Sequence, residues 1–193
     1  RVGTDARLTA DAGLVADADA VVLPGVGAFG ACMTALRSTG LDEVAVAAAG
    51  SGRPFVGICV GMQLLYEGSE ESPDVPGLGV LPGVLRRLPD SVKRPQMQWN
   101  RLDVRRPSAM FDALPDPIWV YFVHSYAADA DGPGIVATCD YGGPVAAAVE
   151  RGPLWATQFH PEKSGTTGLD LLAAFVAAAH GRAGSGDRSL EVR

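Results

Sequence analysis

Cysteine is scarce in this sequence, with residues only at 32, 59 and 139 of 193. An odd number at wide spacing makes neither a disulfide framework nor a structural zinc site, and a reducing cytoplasm is the expected home. Histidine is equally scarce. His124, His160 and His180 have no ligand-like spacing with one another or with the cysteines, so neither a metal nor another cofactor is expected. Basic clusters are lacking too: 16 Lys and Arg face 22 Asp and Glu, giving a net charge of -6. That balance excludes the electrostatic footprint of a nucleic-acid or anionic-membrane binder. The most apolar run, residues 171–179, is less than half of the roughly 20 residues a membrane span requires. No basic flank leads into an apolar stretch at the start of the chain, so no secretory signal is expected.

What is present is the composition of a soluble globular domain, 47% hydrophobic and 20% charged. Short apolar runs bounded by turn residues predict strands at 20–23, 54–58, 119–123, 135–139, 145–149 and 154–159. Helices are predicted at 31–39, 41–49, 61–67 and 169–180, and a further strand around 6–9. Early alternation of strand and helix followed by hairpin-like turns predicts an α/β fold with a sheet parallel at its centre and extended by antiparallel strands. A single domain over 1–180 is expected. The remainder, 181–193 (GRAGSGDRSLEVR), has no apolar face and is expected to be a mobile tail.

Three segments carry chemistry. Gly57-Ile58-Cys59-Val60-Gly61 sets a cysteine between two glycines, after a buried strand and before a helix. This is the pattern of a nucleophile elbow, where a tight turn exposes the nucleophile and leaves room only for glycine beside it. The thiol then stands over a helix N-terminus, whose unpaired N–H groups, that of Val60 in particular, can hold an oxyanion. The second segment is His160-Pro161-Glu162 at a strand end: His160 as base, a stiffening proline, and Glu162 to hold the imidazole in one tautomer. The third, Pro24-Gly25-Val26-Gly27-Ala28-Phe29-Gly30, lacks the Gly-Lys-Ser/Thr of a phosphate loop but can aim backbone N–H groups at an anion. Each motif alone also fits a plain turn, a buried thiol or a surface hydrogen bond; their combination is what points to a cysteine hydrolase or transferase.

The same segments, LPGVGAFG (23–30), VGICVGMQLLYEGSEE (56–71), WN (99–100), YFVHSYA (121–127) and TQFHPEKSG (157–165), span almost the whole chain. They resemble the class I, triad-type glutamine amidotransferases, and within them the glutaminase subunits of imidazole glycerol phosphate synthase. The resemblance implies a flavodoxin-like fold and hydrolysis of glutamine to glutamate and ammonia through a Cys59 thioester, with His160 moving the proton and Glu162 orienting His160. It implies Val26 and Val60 as oxyanion-hole amides, and Gln63, Glu71 and the backbone at Ser125 and Tyr126 as the cradle for the amino-acid end of glutamine. It further implies a heterodimer with a TIM-barrel cyclase that receives the ammonia, faced by Trp99, Tyr121 and Lys163. Family members open with a strand and an Asp-Tyr-Gly-x-Gly-Asn loop, so an N-terminal strand and helix are expected to be missing from this sequence. Gln96 and Gln98 stand where many relatives carry His and Gly, for which local effects are expected. Rival readings are a glutaminase for another synthase, an inactive regulatory subunit of the same fold, and a cysteine hydrolase acting on a peptide or ester.

Overall fold

The computed structural model describes residues 2–183. Its first half alternates helix and strand: α1 (Ala12–Asp17), β1 (Val21–Gly25), α2 (Phe29–Ser38), α3 (Leu41–Gly50), β2 (Phe55–Cys59) and α4 (Val60–Leu64). A strand-rich stretch follows, with β3 (Gly68–Ser69), β4 (Val84–Arg87), β5 (Gln96–Arg101), β6 (Asp103–Val104), β7 (Trp119–His124) and β8 (Tyr126–Ala127). The chain closes with β9 (Ile135–Asp140), β10 (Pro144–Arg151), β11 (Leu154–Thr157), a 3-10 turn at Pro161–Lys163 and α5 (Gly165–Ala183).

The main sheet has the order β1-β2-β11-β10-β9-β6. Its ladders β1/β2 and β2/β11 are parallel, whereas β11/β10, β10/β9 and β9/β6 are antiparallel. The mixed α/β architecture is the expected one, but its parallel ladders lie at one edge of the sheet and not at its centre. Phe55 and Val56 of β2 are both fully buried and feed separate clusters, as alternation on a doubly covered strand requires. One cluster packs Phe29, Met33, Leu64 and Leu65 beneath α2 and α4. The other packs Phe122, Trp155, Phe159, Leu171 and Phe175 beneath α5.

Several expectations are corrected. No strand forms at 6–9: Leu8 is 99% exposed, and the segment forms no ladder with any described strand. One apolar side chain among polar neighbours cannot offset the cost of ordering an unpaired strand. The predicted strand at 119–123 does form, but as β7 it leaves the main sheet and pairs antiparallel with β5, matching Trp99 with Tyr121. α2 begins at Phe29, before the predicted residue 31, because the Glu71 carboxylate accepts the Phe29 N–H at 2.7 Å. α5 runs through Ala183 and so takes in the first three residues of the expected tail; residues 184–193 lie outside the described residues.

Candidate active site

The site is assembled at the C-terminal ends of β1, β2 and β11, where open α/β sheets present their ligand crevice. Cys59 is the last residue of β2 and the residue before α4, with φ 54° and ψ -113°. It is the only described non-glycine residue with positive φ, the strained turn that a nucleophile elbow needs. Glycine at 61 is a steric requirement: a Cβ there would lie 1.9 Å from the Leu23 carbonyl oxygen. α4 can therefore pass against β1 only without a side chain at that point.

His160 follows β11 and is held by its neighbours' backbone. Its N–H donates to the Tyr121 carbonyl at 2.9 Å, and the Ser164 hydroxyl donates to its carbonyl at 2.6 Å. Ser164 also accepts the Tyr121 N–H at 3.0 Å, pinning the turn to β7. Behind the turn, Gly168 lets α5 approach, since a Cβ there would meet the Pro161 carbonyl oxygen at 1.8 Å. The result is a fixed imidazole, 4% exposed, whose Nδ1 lies 2.6 Å from Glu162 Oε1. A carboxylate on Nδ1 sets the tautomer and leaves Nε2 for the chemistry.

Electrostatics couple the three groups. Hydrogen bonding to the Cys59 side chain and then to Glu162 raises His160 to about 9, against a smaller opposing effect of burial. The imidazole thus holds its proton at neutral pH. Burial pushes the Glu162 carboxyl up, but the bond from His160, its own backbone amide and the charges of His160 and Lys163 together hold it below the usual range. Among the described residues, no three His, Cys, Asp or Glu side chains are grouped to hold a metal ion.

The remaining predicted residues occupy distinct places. Val60 opens α4, and Val26 is 78% exposed on the loop after β1, its carbonyl accepting from the Cys32 thiol at 3.2 Å. Glu71 anchors the far end of that loop through Phe29. Gln63 is 5% exposed, and its Nε2 donates to the Tyr126 carbonyl at 3.1 Å and to Gln158 Oε1 at 3.0 Å. The Ser125 carbonyl accepts from the Leu88 N–H at 2.9 Å.

The family model described as glutamine amidotransferase class-I matches residues 4–179. The chain belongs to the class-I glutamine amidotransferase family. Among curated relatives it is 47% identical over 173 residues to the imidazole glycerol phosphate synthase subunit HisH of Symbiobacterium thermophilum, covering 89% of this chain and 82% of that one. It is 46% identical over 176 residues to the subunit of the same name from Methanothermobacter thermautotrophicus, covering 91% and 87%. A crystal structure of a glutamine amidotransferase superposes with a TM-score of 0.71 at 21% identity over 93% of this chain and 88% of the other, which speaks to the fold.

In this class-I amidotransferase the predicted partner-facing residues lie close to the His160 turn. Trp99 and Tyr121 are cross-strand neighbours with ring centroids 6.2 Å apart in an edge-to-face arrangement, and Trp99 is 47% exposed. Lys163 is exposed in the turn itself. Gln98 is exposed on β5, whereas Gln96 is fully buried beside His124. Sequence reasoning missed Gln158, Ser164 and His124 as parts of this neighbourhood. A signal for Gln158 did exist: it stands two residues before His160 in the run whose sequence predicts a strand over 154–159. No helix among the described residues is long and apolar enough to cross a membrane.

Proposed function

We propose that this chain is the glutamine-hydrolysing subunit of an imidazole glycerol phosphate synthase, with Cys59, His160 and Glu162 as its catalytic triad. The observation that carries the assignment is geometric: Cys59 stands on a positive-φ turn at the end of β2, and His160 follows the neighbouring β11 with Glu162 2.6 Å from one ring nitrogen. Attack on the side-chain amide carbon of glutamine requires a thiolate, and the protonated imidazole is the counter-charge beside it. The carbonyl oxygen becomes an oxyanion, met by the backbone N–H groups of Val26 and Val60. Collapse expels ammonia, which takes its proton from His160, and leaves a glutamyl thioester on Cys59. Water, deprotonated by the now neutral His160, adds to the thioester carbon; glutamate departs and the thiolate and imidazolium are restored.

The amino-acid end of glutamine falls to Gln63, Glu71 and the backbone at Ser125 and Tyr126. With its amide hydrogens committed to Tyr126 and Gln158, Gln63 can meet the substrate only through its carbonyl oxygen, a match for an α-ammonium group. Glu71 spends one oxygen on Phe29 and can offer the other to the same cation. Ammonia passes to a TIM-barrel cyclase bound as a heterodimer in the cytoplasm, with Trp99, Tyr121 and Lys163 at the contact. An exposed Trp99 packed on the half-buried Tyr121 supports that surface, because such side chains are favoured interface anchors.

Acid quenching during turnover with glutamine, followed by peptide mass analysis, tests the thioester. A glutamyl adduct on the peptide that contains Cys59 is expected, and it should be absent from Cys59→Ala. Turnover in which no peptide carries the adduct would overturn the covalent mechanism.

A further inference from the structure

We infer that Gln158 is a further donor to the nucleophile: its side-chain NH2 group is aimed at the Cys59 sulfur and steadies its thiolate, with Gln63 as the positioning residue that fixes the direction of that amide. This rests on the assignment of Cys59 as nucleophile.

The orientation follows from donor and acceptor chemistry. A backbone carbonyl can only accept, so the end of the Gln63 amide 3.1 Å from the Tyr126 oxygen must be its NH2. The same NH2 lies 3.0 Å from one end of the Gln158 amide, which must therefore be the oxygen. The other end of Gln158, its NH2, then faces Cys59 Sγ at 3.9 Å. All three side chains are buried, at 5%, 0% and 4% exposure for Gln63, Gln158 and Cys59. In that setting water cannot take the place of a missing donor.

The anchor of this chain is itself held. His124 Nδ1 lies 2.9 Å from the same Tyr126 oxygen, so that nitrogen carries the hydrogen. Burial lowers His124 to about 4. The Gln96 amide lies beside it, with its oxygen 3.0 Å from His124 Nε2 and its NH2 donating to Cys139 Sγ at 3.7 Å. Burial raises the Cys139 thiol to about 11. Gln63 and Gln158 thus each have one permitted amide orientation, and the series ends on the sulfur. Gln158 and His160 both lie on the short segment that follows β11.

The test follows alkylation of Cys59 by iodoacetamide as a function of pH, resolved by peptide so that Cys32 and Cys139 do not contribute. Gln158→Leu removes the donor, and the midpoint of the rate profile should rise by about one pH unit, the size expected for losing one long charge-assisted hydrogen bond. Gln158→Glu keeps the acceptor for Gln63 but sets a carboxylate against the sulfur, and its midpoint should rise further. Glutamine turnover should fall roughly tenfold in Gln158→Leu with KM little changed, since the donor acts on the nucleophile. If Gln158→Leu does not fold by circular dichroism, Gln158→Met, of similar length, carries the same comparison. Midpoints equal to the parent's in folded variants would overturn the inference even where their melting temperatures fall. Retention of glutaminase activity by Cys59→Ala would instead overturn the underlying assignment.

Discussion

Replacing Gly61 by alanine puts one methyl group at the tightest point of the elbow. That carbon would lie 1.9 Å from the Leu23 carbonyl oxygen and 2.8 Å from the Leu23 carbonyl carbon. Ordinary contact begins near 3.4 Å, so β1 must withdraw by about 1.5 Å at this point. The obstacle is backbone, which has no rotamer to change. A shift of that size strains the parallel ladder that pairs Val21–Gly25 with Phe55–Cys59. Overpacking of this kind together with a weakened ladder costs about 3 kcal/mol. For a domain of this length the melting temperature should fall by about 6–12 °C. Displacing the nucleophile by even 1 Å should lower turnover about a hundredfold. Thermal melting by circular dichroism, with glutamine hydrolysis measured well below both midpoints, gives the two numbers. Gly181→Ala is the matched control: nothing lies within 4 Å of its Cβ position and it sits within α5, so the same substitution should stabilise by about 0.5 kcal/mol. A Gly61→Ala protein that melts within about 2 °C of the parent and turns over normally would refute the steric account.

Other expectations rest on separate contacts. Glu162→Gln keeps the shape but removes the carboxylate that orients His160, and glutamine turnover in steady-state assays should fall about a hundredfold. Because the folded pKa of His160 is raised to about 9, the stability it contributes is fully present below its unfolded value near 6.5 and is lost as pH rises through about 9. Melting temperatures of the parent should decline across that upper range more steeply than those of His160→Gln. Glu71→Ala removes the acceptor for the Phe29 N–H at the start of α2, with an expected cost of about 1 kcal/mol, read as a fall of about 2–4 °C in melting temperature. Phe159→Ala empties a fully buried site in edge-to-face contact with Phe122 and should cost about 3–5 kcal/mol in urea unfolding.

What could be read from sequence was local. A glycine-flanked cysteine between an apolar strand and a helix, or a His-Pro-Glu turn at a strand end, is specified by neighbours within a few residues. The structure brings those two segments together across the β2/β11 ladder. Contacts that span the chain left no such trace. The Glu71 carboxylate that starts α2 comes from 42 residues away, and Gln63 reaches Gln158 across 95. β5 was missed because its alternation is short, with only Met97 and Trp99 apolar between Gln96, Gln98 and Asn100; pairing with β7 makes it a strand. The strand expected at 6–9 failed for the complementary reason. Its composition allowed an extended chain, but no described strand pairs with it.

The measurement that bears most directly on the account is ammonia release from glutamine by the full chain, alone and with the proposed cyclase subunit, beside Cys59→Ala. Release that depends on Cys59 is the predicted result. Release that persists in Cys59→Ala, or no release in any combination from a folded chain, would contradict it.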